Sequence, residues 1–256
     1  MRKVAIIGVG YVGKGMVNFF KDHYEVITKD REGDYTEVNK CDLAVVCVPT
    51  PMRKDGHCDT SIVEEVVKNL ETPVIWIRST IRPGLTEKLK RLTGKRIVFS
   101  PEYMGESKYW TPYKFHKDEK EIPYFVLGGC PADTGYVIDM IVPIVGAKKI
   151  FYQCSATEAE LVKYMENTFF ATKVEFANEW RDICEAFGCN YWSVREGWAL
   201  DPRVEPMHTA VFKDERGFGG KCFPKDLSGI IEASKKKKYT PRLLWQVWLN
   251  NLSRRK

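Results

Sequence analysis

The first thirty residues constrain the chain most. Lys3-Val4-Ala5-Ile6-Ile7 is a short apolar, β-rich run that ends in Gly8-Val9-Gly10-Tyr11-Val12-Gly13. A helical pattern follows to about Phe20, and a second strand over Tyr24–Thr28. Strand, glycine turn, helix and strand in that order are the setting in which GxGxxG binds a dinucleotide. Gly8 permits the tight turn, Gly10 lets a pyrophosphate reach the helix N-terminus, and Gly13 allows close helix–strand packing. Asp30 lies 17 residues beyond Gly13, at the end of the second strand, placed to accept hydrogen bonds from a ribose diol. A carboxylate there repels a 2′-phosphate and favours NAD; Arg31 beside it leaves the phosphorylated cofactor open.

The pattern continues as an alternation. Strands are expected at Leu43–Val48, Val74–Ile77, Ile97–Phe99, Tyr124–Leu127 and Lys149–Tyr152. Helices are expected from Asp59-Thr60-Ser61 to about Leu70, from about Pro83, and near Thr134–Ile141. Such alternation defines a parallel, doubly wound α/β sheet, assigned here to a Rossmann-like domain over residues 1–154. Pro49-Thr50-Pro51 and Ser79-Thr80 follow strands at the carboxyl ends, where such sheets hold ligands. The segment Tyr109–Tyr124 reads as a loop.

From about Ala156 the period becomes helical. Leu161, Tyr164, Met165, Thr168, Phe169, Thr172 and Phe176 fit one long helix from about 156 to 187, opening an all-helical domain over residues 155–256. Lys163 and Asn167 are spaced to lie one above the other on it; such a pair is ordinarily a solvated surface feature. Arg195–Arg216 reads as irregular, and a last helix is expected over about Thr240–Leu252.

Between them lies Gly217-Phe218-Gly219-Gly220-Lys221-Cys222-Phe223-Pro224-Lys225-Asp226. Pro224 suits a first helical turn, because its missing N–H would be unpaired there anyway. Cys222 then sits at the positive end of a helix, which lowers a thiol pKa, with Asp226 one turn on. A buried, inert cysteine in a glycine turn is the competing reading.

Composition removes other classes. The net charge of +6 suits an anionic small ligand, and no long basic amphipathic run argues for nucleic acid. The eight cysteines are scattered without CxxC or Cys/His ligand spacing, so neither a disulfide framework nor a metal site is expected. No apolar run reaches membrane-spanning length and no signal peptide is visible. A reducing cytoplasm is the expected location.

Taken together, seven ordered stretches resemble the UDP-glucose/GDP-mannose dehydrogenase family: GVGYVG at Gly8, CVPTP at Cys47, RSTIRPGLTEKL at Arg78, SPEYMGES at Ser100, KYMEN at Lys163, FANE at Phe176 and GFGGKCFPKD at Gly217. The resemblance implies four-electron oxidation of a nucleotide sugar's C6 alcohol to a carboxylate, UDP-glucose to UDP-glucuronate being the simplest case, with NAD as oxidant. It makes Cys222 the nucleophile of a thiohemiacetal and then a thioester. Lys163 and Asn167 would stabilise the oxyanion, Asp226 would assist, and Glu106 would activate the hydrolytic water with Thr80. Cofactor contacts are implied at Tyr11, Val12, Thr50, Thr80 and Lys225 besides the glycines and Asp30. Substrate contacts are implied at Tyr103, Met104, Gly105, Glu106, Lys163, Asn167, Arg203 and Gly219. Glu102 is left without a role.

The family also implies a homodimer through the long helix and a third, nucleotide-gripping C-terminal domain, which this sequence lacks. Trp110, Tyr113 and Phe115 could stack a base in its place, although aromatic packing within a loop is the more ordinary reading. Two other readings compete: a two-electron β-hydroxyacid-type dehydrogenase, which has no use for Cys222 or Glu106, and an NAD-binding protein that needs a partner domain.

Overall fold

The computed structural model describes residues 1–104 and 118–255. Among these residues seven strands form one sheet: β1 (Lys3–Ile7), β2 (Glu25–Lys29), β3 (Leu43–Val46), β4 (Val74–Ile77), β5 (Ile97–Phe99), β6 (Tyr124–Gly128) and β7 (Ile150–Cys154), in the order β2-β1-β3-β4-β5-β6-β7. β1 pairs in parallel with both β2 and β3, and its Ile7 lies opposite Lys29 and Val46. The order reverses between β1 and β3, so a crevice opens at their carboxyl ends.

One pairing departs from the parallel expectation. β5 and β6 run antiparallel, joined through Phe99 and Gly128. An antiparallel neighbour needs no crossover helix, and the described part of this connection holds only the single 3₁₀ turn Glu119–Glu121.

Among the described residues four helices cover the sheet: α1 (Tyr11–Phe20), α2 (Ser61–Asn69), α3 (Leu85–Thr93) and α4 (Pro131–Val145). β3, β4 and β5 are buried along their whole length, as central strands with both faces covered must be. Ala5, Ile7, Ala44, Val46, Ile75 and Ile77 pack to one side with Val63, Val67 and Leu85. Val4, Ile6, Val45 and Trp76 pack to the other with Phe19, Phe20, Val137 and Ile141.

Helices make up the rest: α5 (Ala156–Ala186), α6 (Tyr191–Trp198), α7 (Phe223–Lys236) and α8 (Arg242–Arg254). α5 is a single helix of 31 residues. α6 overlaps the start of the segment expected to be irregular. Its signal was Asn190, whose side chain caps it by accepting from Trp192 N at 2.8 Å.

The chain forms two compact units. Among the described residues, one comprises 1–53, 58–104 and 118–163; the other comprises 54–57 and 164–255. The cores of the second unit are small, one around Ala171, Phe218, Leu227, Ile231 and Val247, another around Ala177, Cys184, Tyr191 and Val211. Among the described residues no helix is long and apolar enough to cross a membrane.

Candidate active site

In the first unit, Gly8 has φ +86°, and a Cβ there would come within 2.9 Å of the Cys47 carbonyl oxygen. At Gly13 a Cβ would stand 1.9 Å from the Gly8 carbonyl oxygen, so turn and helix touch backbone to backbone. Gly10 is the N-cap of α1 and supplies no side-chain cap. Nothing lies within 4 Å of where its Cβ would be. The backbone at the N-terminus of α1 can therefore be approached closely at Gly10, as a pyrophosphate requires. Asp30 is exposed just past β2. Its loop is held by Lys29, whose ammonium donates to the carbonyls of Asp30, Glu32 and Gly33. These residues fit NAD.

The next strand ends are tied together. Thr50 Oγ1 donates to the Thr80 carbonyl at 2.7 Å, and Ser79 Oγ donates to the Val48 carbonyl at 2.7 Å. Deeper in, Arg78 forms a buried ion pair with Glu119, donates to Ser100 Oγ at 3.0 Å, and lies over the Trp76 ring. The sequence left Glu102 unassigned, yet its carboxyl is enclosed in this neighbourhood. Burial raises its pKa above the usual carboxylate range, although Lys163 and Arg78 pull the other way. Lys163 is only 9% exposed; its ammonium donates to the Glu102 carbonyl at 2.6 Å and sits 5.3 Å from the centre of the Tyr103 ring. A solvated lysine was the alternative, and it does not hold. Met104 packs its thioether against the bare backbone of Gly15 on α1, where a Cβ would meet its Cε at 2.7 Å.

In the second unit, Asn167 lies one turn beyond Lys163 on α5 and is also buried. Its Nδ2 donates to Asp226 Oδ2 at 2.5 Å, and Asp226 Oδ1 lies 2.5 Å from the Lys225 ammonium. Asp226 itself is 1% exposed. A carboxylate this deep needs polar partners, and an amide and a cation flank it. Lys225, expected at the cofactor, is thus engaged by its neighbour. Cys222 occupies the N-cap of α7, and its carbonyl accepts from Asp226 N at 2.9 Å. The residue is exposed, which excludes the buried, inert reading of the thiol. Gly217 and Gly220 take φ of +72° and +76°, so the loop before Cys222 turns twice through left-handed backbone.

Two expected contacts have other surroundings. Arg203 is exposed and forked onto Asp201, two residues away. Gly219 lies beneath the Arg255 guanidinium, whose Nη2 is 2.8 Å from where a Cβ would be. Gly105, Glu106, Trp110, Tyr113 and Phe115 lie outside the described residues.

A doubly wound nucleotide-binding sheet, followed by a long helix and a cysteine-bearing helix, defines the class. Residues 31–128 match the NAD binding domain of the UDP-glucose/GDP-mannose dehydrogenase family, and residues 157–252 match its central domain. The chain belongs to that family, and NAD is the cofactor of its first half. It is 29% identical over 234 residues to the UDP-glucose 6-dehydrogenase AglM of Haloferax volcanii, covering 82% of this chain and 52% of that protein. It is 28% identical over 283 residues to the UDP-N-acetyl-D-mannosamine dehydrogenase of Methanococcus vannielii, covering 93% of this chain and 63% of the relative. The fold matches a UDP-glucose dehydrogenase structure from Pyrobaculum islandicum with a TM-score of 0.84 at 22% identity, over 99% of this chain and 68% of that one. The chain thus spans about half the length of a curated relative such as AglM.

Proposed function

We propose that this chain carries out NAD-dependent oxidation of a nucleotide sugar at C6, from alcohol to carboxylate, with UDP-glucose as substrate. Residues 1–154 are read as the NAD-binding domain and 155–256 as the helical domain. The observation that carries the proposal lies within the helical unit, where buried Asn167 on α5 donates to Asp226, one turn after Cys222 on α7; within the first unit, Lys163 is buried with its ammonium on the Glu102 carbonyl. NAD, when bound at the α1 glycine turn, supplies the acceptor for the hydride lost from C6.

The residues divide the remaining work. Cys222 Sγ adds to the carbonyl carbon of the C6 aldehyde, and the oxygen takes up the proton the thiol gives up. Lys163 and Asn167 donate to that oxygen while it carries charge; such donors are worth about 2.7–4 kcal/mol each in related sites. Loss of the second hydride from carbon and of the proton from that oxygen leaves a thioester; water then adds to its carbon and Cys222 leaves as the thiolate. Burial raises the Glu102 pKa, which makes the carboxylate a stronger base, and Glu102 takes the water's proton. It does so in place of, or together with, Glu106. Thr80, tethered through its carbonyl to Thr50, helps hold the water. Asp226 keeps the Asn167 amide turned to donate.

The test is NADH formation from UDP-glucose, UDP-N-acetylhexosamines and GDP-mannose, with wild type beside Cys222→Ala. Two NADH per sugar, abolished in the variant, is the expected result. One NADH per sugar, insensitive to the variant, would establish two-electron chemistry instead. Bound NAD with no NADH formed would direct the search to a partner domain.

We also propose a homodimer through α5. Met165, Phe169, Phe176, Trp180 and Phe187 form an exposed apolar stripe along the helix and its end, with Met165 77% and Phe169 59% exposed. A contiguous apolar face of this kind marks an interaction surface. Light scattering after size exclusion should give twice the chain mass, and Phe169→Glu should halve it.

A further inference from the structure

The loop that leads to Cys222 is held at its start by two buried asparagines from different helices. Asn178 on α5 is 1% exposed; its Oδ1 accepts from Gly217 N at 3.2 Å and from Arg216 Nε at 2.7 Å. Asn251 on α8 is 3% exposed, and its Oδ1 accepts from Phe218 N at 2.7 Å. Two adjacent amides of the loop are thereby satisfied, one from each helix. The fit is tight: a Cβ on Gly217 would stand 2.4 Å from Asn251 Oδ1. One turn after Asn251, at the C-cap of α8, the Arg255 guanidinium covers Gly219. α8 therefore addresses Gly217, Phe218 and Gly219 in succession. It is itself anchored to α5, because Arg254 pairs with Glu175 at 2.9 Å and with Asp182 at 2.6 Å.

These contacts bear on Cys222 because the chain between is short. Phe218 is buried and packs against Phe223, the residue after the cysteine. With Phe218 fixed at one end and α7 at the other, the intervening residues have little freedom to slide. A slip of the loop would lift Cys222 off the first turn of α7, where unpaired amides and the helix dipole favour a thiolate.

We propose that Asn251 is a positioning residue for Cys222, acting through Phe218 N, and that α8 is therefore part of the catalytic apparatus and not only of the helical core. The proposal rests on the reading of Cys222 as the nucleophile. Its test is the pH profile of Cys222 alkylation by iodoacetamide in the full chain, read on the Cys222 peptide by mass spectrometry, beside NADH formation. Asn251→Leu removes the acceptor at similar volume, Asn251→Asp keeps it, and Gly217→Ala disturbs the same contact from the loop side. In Asn251→Leu and Gly217→Ala the alkylation midpoint should rise by about one pH unit. kcat should fall by about tenfold or more while KM for NAD stays within about twofold, with Asn251→Asp close to wild type.

A lowered melting temperature with an unmoved Cys222 profile and wild-type kcat would overturn the proposal, since Asn251 would then be structural only. If Asn251→Leu does not fold, Gly217→Ala decides in the same terms. If no form of the chain, wild type included, makes NADH, that result counts against the proposed reaction. The alkylation profile still decides on positioning: a shift supports it and no shift overturns it.

Discussion

The two units hold polar groups in place by different means. In the first, the strand ends that carry Thr50, Ser79, Thr80 and Glu102 project from a sheet whose central strands are wholly buried in aliphatic and aromatic side chains. The scaffold is mainly apolar, and buried polar groups such as the Arg78–Glu119 pair are set into it locally. In the second unit the apolar clusters are small, and ion pairs and amides span the helices: Glu175 and Asp182 with Arg254, Asp182 with Arg216, Asn167 with Asp226, Asn251 with the glycine loop. In the sheet the polar groups are carried on an apolar scaffold, whereas in the helical unit the polar groups are themselves the frame.

The largest effect should come from the second unit. Cys222→Ser should lower formation of the carboxylate at least about a thousandfold, because a hydroxyl lacks the thiolate's nucleophilicity at neutral pH. NAD binding, followed by fluorescence, should be unchanged. Lys163→Met should follow, with kcat down about a hundredfold or more, as for the loss of one oxyanion donor. A smaller loss would show that Lys163 serves mainly to fix the Glu102 backbone.

Stability variants sharpen the contrast. Gly13→Ala would place a methyl 1.9 Å from the Gly8 carbonyl oxygen, at a cost of about 3 kcal/mol or more in urea denaturation. Arg254→Met would strand the buried Glu175 carboxylate, at about 2–3 kcal/mol. Conversely, Ile75→Val in the apolar sheet should cost only about 1 kcal/mol. Equal costs for the last two would erase the distinction between the units.

Titration gives a further handle. His208 is stacked on Phe170 with ring centres 4.4 Å apart and edge-on to Phe223, and burial pushes its pKa down to about 4. Its folded pKa lies below the unfolded value of about 6.5, so the unfolded chain binds the extra proton between those values. This contribution to stability is full above pH 6.5 and is lost as the pH falls toward 4. Urea midpoints at pH 7 and pH 4.5 should differ less in His208→Phe than in wild type. The smallest effect is expected at Arg203. Its pairing with Asp201 is fully exposed, so Arg203→Ala should move the melting temperature by no more than about 1 °C. A large rise in KM for the nucleotide sugar in that variant would support its expected role at the substrate.

Legibility followed the same division. The sheet was readable strand by strand, because each buried strand is a continuous apolar run bounded by turn residues. The antiparallel entry of β6 was not, since direction is set by the connection and not by the run itself. α6 was passed over because eight residues carry too little periodicity to stand out. For Glu102, nothing in the local sequence distinguishes an enclosed carboxyl from an exposed one.

The sequence by itself determined the nucleotide turn at Gly8, Gly10 and Gly13, the long helix with Lys163 and Asn167 one turn apart, and Cys222 at the start of a helix. These depend on local spacing, on glycine and proline, and on helical period. Only the tertiary structure decided that Lys163 and Asn167 are buried, that Asp226 holds the Asn167 amide, that burial raises Glu102, and that Asn251 grips a loop 33 residues before it. Burial and long-range hydrogen bonds depend on which surfaces meet, and no window of sequence contains that information.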